Sequence, residues 1–101
     1  MPFKKHFRKY RKSNHPSLIV GDDGRAYDFI GLTHSPYSGG HKCHELSSNP
    51  DPRDPRKSYL RRELRSDSHH SFRKPIPGWR LGKADEAYVD SFVSGKRRKK
   101  N

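Results

Sequence analysis

Hydrophobic positions in this chain are sparse and clustered, and the densest cluster is the stretch 15–33. Two runs, Pro16-Ser17-Leu18-Ile19-Val20-Gly21 and Ala26-Tyr27-Asp28-Phe29-Ile30-Gly31-Leu32-Thr33, flank Asp22-Asp23-Gly24-Arg25. Both are rich in β-branched and aromatic residues, and the Asp-Gly pair between them supplies the positive φ angles of a tight turn, so the pattern predicts a β-hairpin. The second run is apolar at nearly every position except Asp28, which predicts a central strand covered on both faces, as in a curled sheet or small barrel. Pro16 cannot donate a ladder hydrogen bond and belongs at a strand start, which puts His15 at the mouth of the sheet. The start of one hairpin strand faces the end of its partner, so His15 and Thr33 are expected to be neighbours.

Outside the hairpin the pattern is weaker. Residues 1–14 interleave Phe3, Phe7 and Tyr10 with basic residues, a spacing that suits stacking on bases or docking as an edge strand or short helix. Turn formers fill His34-Ser35-Pro36-Tyr37-Ser38-Gly39-Gly40, an exposed loop, and 41–46 alternates enough for a short third strand. Three prolines in 50–55 bar helix and central strand and predict a semi-rigid surface loop over 47–56. Leu60 and Leu64 fit either helix or strand, with Tyr59 tilting 57–65 toward strand. Ser66-Asp67-Ser68-His69-His70-Ser71 reads as a solvated polar loop. Trp79 is expected to anchor the last element on the core. A terminal amphipathic helix is predicted over 82–94, with Ala84, Tyr88, Val89, Phe92 and Val93 as its stripe, Asp85 and Glu86 in its first turn and Gly95 ending it.

Composition narrows the class. A chain of 101 residues with 28% hydrophobic content holds one small domain with a small core. The single Cys43 excludes an internal disulfide and favours a reducing, cytoplasmic setting. No apolar window is long enough to span a membrane, and no apolar stretch follows the basic N-terminus, so neither a membrane partner nor export is expected. The net charge of +12 is unevenly spread. Lys4, Lys5, Arg8, Lys9, Arg11 and Lys12 crowd the N-terminal segment and Lys96, Arg97, Arg98, Lys99 and Lys100 the C-terminal one, while the stretch between is nearly balanced. Like-charge blocks stay disordered alone and attract polyanions through counterion release, with nucleic acid as the expected polyanion or, failing that, a merely solubilising role. The predicted organisation is a basic segment 1–14, a domain 15–95 and a basic tail 96–101. Arg61 and Arg62 offer a second phosphate surface.

Small-molecule chemistry finds little support. No phosphate-cradling glycine loop is present. His34, His41, Cys43 and His44 are zinc-compatible residue types, but a strand would split 41 and 43 from 44 and no second cluster follows, so neither metal nor cofactor is expected.

In order, His15-Pro16-Ser17-Leu18-Ile19-Val20, Ile30-Gly31-Leu32-Thr33-His34-Ser35, Gly40-His41-Lys42-Cys43-His44-Glu45-Leu46, Ser58-Tyr59-Leu60 and the stretch 79–93 resemble the PemK/MazF family of toxins. The resemblance implies a mainly β fold, a small SH3-like β-barrel with a C-terminal α-helix, flanked here by basic disordered tails. It also implies a metal-independent endoribonuclease of a toxin–antitoxin pair, with an antitoxin protein as partner and a homodimer as assembly. The chain departs from the family in lacking its first Gly-Asp-(Ile/Val) strand and in carrying His15 where the family has arginine. These departures leave room for a relative that binds RNA without cutting it.

Cutting RNA through its own 2′-hydroxyl needs a proton acceptor, a proton donor and stabilisation of charge on the phosphate oxygens. His15, with an ordinary pKa of about 6.5, suits acid or base work, and Thr33 can hydrogen-bond a nonbridging oxygen. The cationic role then falls to His34 or to a basic residue of the N-terminal segment, while Arg25 lies at the far end of the hairpin. Two other classes compete: a noncatalytic basic nucleic-acid-binding module, and a protein-interaction domain that binds an acidic partner.

Overall fold

The computed structural model describes residues 3–98. Its centre is the expected hairpin, β2 (Pro16–Asp22) and β3 (Ala26–Thr33). The turn is held by its own carboxylates: Asp22 Oδ1 accepts from the Gly24 N–H, and Asp23 Oδ1 accepts from the N–H groups of Arg25 and Ala26. Gly24 takes φ 93°, a conformation that side chains disfavour. A bulge between Ile19 and Gly21 shifts the register, so Leu18, Val20, Ile30 and Leu32 share one core cluster while Ile19 and Phe29 join another. Both faces of β3 are therefore covered, as its apolar run predicts.

Strand β1 (His6–Tyr10) corrects the sequence reading. This stretch was expected outside the domain or at an edge, yet it pairs with β2 on one side and with β9 (Phe72–Pro75) on the other. Phe7 and Tyr10 are buried, one in each core cluster, and the irregular β1–β9 register lets residues three apart serve both. The folded unit thus begins before residue 15, and the expectation of a disordered segment fails for 6–10. β9 is an edge strand whose exposed Arg73, Lys74 and Pro75 discourage further pairing.

Residues 57–65 do not form one strand. β7 (Tyr59–Leu60) pairs with the end of β3, and β8 (Arg65–Ser68) pairs with its beginning. The chain then passes through a 3-10 turn, His69–Ser71, to β9. The class read from the sequence, mainly β with a C-terminal helix, is the one observed. The closed barrel is not, because the strands run β7-β3-β2-β1-β9 with β8 beside β3, and β8 and β9 are joined by the turn rather than by a ladder. The result is an open sheet with a core cluster on each face of β3.

The expected third strand is split around buried Cys43 into β5 (His41–Lys42), which pairs with β4 (Tyr37–Ser38), and β6 (His44–Glu45), which pairs with β7. Helix α1 (Lys83–Arg98) lays Val89 and Val93 on the first cluster, and Trp79 packs against Phe7 at 5.7 Å. The helix runs through Gly95, because one exposed glycine costs only about 1 kcal/mol relative to alanine. Lys96, Arg97 and Arg98 are thus helical instead of tail, while Lys99 and Lys100 lie outside the described residues. Ala84 is exposed, and Asp85 takes its place on the buried face, accepting hydrogen bonds from the Ser47 N–H and hydroxyl. Among the described residues no helix is long and apolar enough to cross a membrane.

Candidate active site

The open end of the β2–β3 hairpin has a different character from its turn. The Ser17↔Gly31 register, carried two residues onward, sets His15 across from Thr33, and both line two adjoining cavities of about 140 and 390 Å³. His15 is exposed and is held by its backbone, whose carbonyl accepts from the Tyr10 N–H at 2.9 Å. Asn14 makes that turn at φ 61°, a conformation asparagine tolerates. The Thr33 hydroxyl accepts from the Ser35 N–H at 3.1 Å, and its proton meets no acceptor among the described residues.

The larger cavity also receives His34. Its Nδ1 lies 3.0 Å from the Lys57 carbonyl, and since a carbonyl only accepts, Nδ1 carries a proton. Nε2 lies 3.4 Å from Asp54 Oδ2. Asp54 is gripped by Arg56, whose side-chain and backbone donors hold its carboxyl well below the usual carboxylate range. The loop presenting Asp54 is built by Asn49: its amide donates to the carbonyls of Asp54 and Arg56, and its Oδ1 accepts from the Asp51 N–H and the Ser58 hydroxyl. Asn49, Asp51 and Asp54 each cap an N–H two residues on, a recurrence that follows from short polar side chains set among prolines. The sequence offered that signal, but the loop was read only as surface.

Arg61 and Arg65 line the smaller cavity. The Arg61 N–H donates to the Gly31 carbonyl at 2.9 Å, and its side chain crosses the face of Gly31, where a Cβ would come within 3.0 Å of Arg61 Cδ. Glycine in the middle of a strand is explained by this close approach. The Arg65 guanidinium lies over the rings of Phe29 and Tyr10, at 5.2 and 5.5 Å. Glu63 stands between the two arginines at 3.8 and 3.9 Å, too far for strong hydrogen bonds. Behind them the Tyr10 hydroxyl donates to Asp67, which also meets Lys12 at 2.9 Å and the Ser71 hydroxyl. The hydrogen bond from Tyr10, then that from Lys12, holds the Asp67 carboxyl far below its ordinary value, while burial pushes the Tyr10 hydroxyl up.

The N-terminal cations go elsewhere. Lys5 pairs with Asp90 at 2.6 Å, and Lys12 is taken by Asp67. Arg8 donates to His6 and to the Arg73 carbonyl, and Lys9 and Arg11 face a shallow surface with Arg73 and Lys74. Lys4 contributes its carbonyl to His6 Nδ1. The cations that line the smaller cavity are Arg61 and Arg65, and Arg65 reaches it because β8 turns back along β3. Arg62 and Lys96 line an adjoining groove beyond Arg61. His34 is at the cavity, as expected, and Arg25 is at the far turn. His34, His41, Cys43 and His44 are not gathered; the described residues contain no group of three or more His, Cys, Asp or Glu able to hold a metal.

Comparison with protein-family models, curated proteins and solved structures finds no match to this chain. The likeness to PemK/MazF proteins is therefore carried by the order of short motifs alone.

Proposed function

We propose that this protein binds single-stranded RNA at the open end of the β2–β3 hairpin and cleaves it by attack of the substrate's own 2′-hydroxyl. One observation carries the reading: His15 and Thr33 line both cavities, with His34 completing one and Arg61 and Arg65 the other. Two imidazoles supply a proton acceptor for the attacking hydroxyl and a proton donor for the leaving 5′-oxygen. Two guanidiniums and the Thr33 hydroxyl face the nonbridging oxygens, where negative charge grows in the transition state. This set of roles is complete without a metal ion. It also fits the departure from the PemK/MazF pattern, since the arginine missing at position 15 is replaced in function by arginines from the other side of the cavity.

The test is incubation of the pure protein with a long single-stranded RNA, with and without chelator, followed by end mapping. Discrete chelator-resistant cuts that leave 2′,3′-cyclic phosphates are expected. Retention of intact RNA would overturn the cleavage step, and absence of binding would overturn the whole reading.

A further inference from the structure

The smaller cavity does not end at Arg61. Arg61 and Ser38 also line a groove of about 840 Å³ that continues between the β4–β5 hairpin and the end of α1. Its charged lining is lopsided: Lys42, Arg61, Arg62 and Lys96 against Glu63. Lys42 and Arg62 have no carboxylate within ion-pairing distance among the described residues, so their charge is uncommitted. Lys96, whose ammonium lies 5.5 Å from the Phe92 ring centre, is placed on this wall because the helix continues past Gly95. Next to the groove, Tyr37 is 63% exposed and pairs in register with the lining residue Lys42, so the ring and the ammonium share one face of the hairpin. An exposed aromatic beside unpaired cations is the combination that grips single strands, with phosphates on the charges and a base on the ring.

We propose that this groove carries the nucleotides flanking the reacting phosphate, so that a single RNA strand runs from the His15–Thr33 cavities past Arg61 and along Lys42, Arg62 and Lys96, with one base stacked on Tyr37. The proposal rests on the RNA reading of the cavities and adds a path, a polarity of charge and a stacking residue. A protein partner of acidic character would meet the same cations but would gain little from a stacking ring.

The experiment measures affinity of the full chain for a 2′-O-methyl RNA dodecamer and for the matching dinucleotide across a salt series. Such RNA cannot be cut, so the outcome is independent of the cleavage chemistry; a chain that binds yet never cuts sinks the cleavage step and leaves the groove standing. Replacing Lys42, Arg62 and Lys96 together by alanine should lower the logarithmic salt slope for the dodecamer by about 2, at about 0.7 per phosphate contact, and shrink its advantage over the dinucleotide. Glu63→Lys should steepen the slope, and Tyr37→Ala should weaken the dodecamer on the order of tenfold. An unchanged slope in the triple variant would overturn the proposal. So would equal weakening of an equally charged polyglutamate peptide by the triple and Tyr37 variants, which would reassign the groove to an acidic protein.

Discussion

The two ends of the β2–β3 hairpin are built from similar polar residues and treat them in opposite ways. At the turn, the carboxylates of Asp22 and Asp23 are consumed by backbone N–H groups of the next few residues. At the open end, His15 and the Thr33 hydroxyl proton face cavities, and the arginines opposite have, among the described residues, a loosely placed Glu63 as their one ion-pairing carboxylate. Polar groups that satisfy each other within a few residues shape the chain. Those brought together from β2, β3 and the stretch 61–65 and left facing a cavity are available for a ligand.

The largest expected effect falls on the open end. Replacing His15 and His34 by alanine should reduce RNA cleavage by at least about a hundredfold, the lower range for acid–base groups, with little change in melting temperature since neither ring is in the core. Equal cleavage rates for wild type and the folded double variant would erase the distinction between the two ends. Next comes Gly31→Val, which suits a strand but drives a side chain against Arg61. RNA affinity should drop on the order of tenfold as that guanidinium is displaced, while thermal unfolding changes little. A binding assay that finds wild-type affinity would remove Arg61 from the cavity.

An unpartnered polar atom does not by itself mark a ligand site, and His44 sharpens the point. Its ring stacks on Tyr88 at 3.5 Å, and its buried Nε2 has no hydrogen-bond partner, with Asp85 3.8 Å away and already supplied by Ser47. Burial outweighs the attraction of Asp85 and lowers the imidazole pKa below 6.5. The unfolded chain therefore binds the extra proton first, and stability should be lost as pH falls below about 6.5, levelling off below the folded value. A melting temperature that falls between pH 7.5 and 5, with the fall diminished in His44→Phe, is expected; identical pH profiles would refute it. At the turn, backbone hydrogen bonds from Arg25 and Ala26 depress the Asp23 carboxyl. Its contribution is present above the ordinary carboxylate value and is lost as pH falls through the depressed one, so Asp23→Asn should lower stability at neutral pH more than in acid. The smallest effect is that of Arg25→Ala, for which RNA binding and cleavage at physiological salt should match wild type; a clear loss would bring the turn into the functional surface.

The hairpin, the Trp79 anchor and the helix were legible because each is written locally: Asp-Gly between β-rich runs, one large ring after a proline turn, and a stripe at helical spacing. β1 was hidden by its charge and by the spacing of Phe7 and Tyr10, which strict strand alternation does not produce and the irregular β1–β9 register does. The site was half legible. His15, Thr33 and His34 follow from strand ends and the adjoining loop, whereas Arg65 and Asp54 reach the cavities through the pairing of β8 with β3 and the Asn49-braced loop, which no short window reveals. Asp85 lies in the first helical turn as its position suggests, but its burial was not legible, because a carboxylate on an apolar face is foreseen only when its donors, here on Ser47, are known.

Because β3 is flanked on one side by β7 and β8 rather than by one long strand, assembly of this molecule has a natural order. The β1–β2–β3 meander closes only short loops and can form early, whereas Arg61 and Arg65 dock after an excursion through 34–58, and β9 must travel back to the first strand. Longer loops close later, since their entropy is lost before contacts compensate. A chain emerging from synthesis would thus display His15 and Thr33 before the arginines arrive to meet them. The complete cavity lining is then a late event of folding, present only once most of the protein has been made.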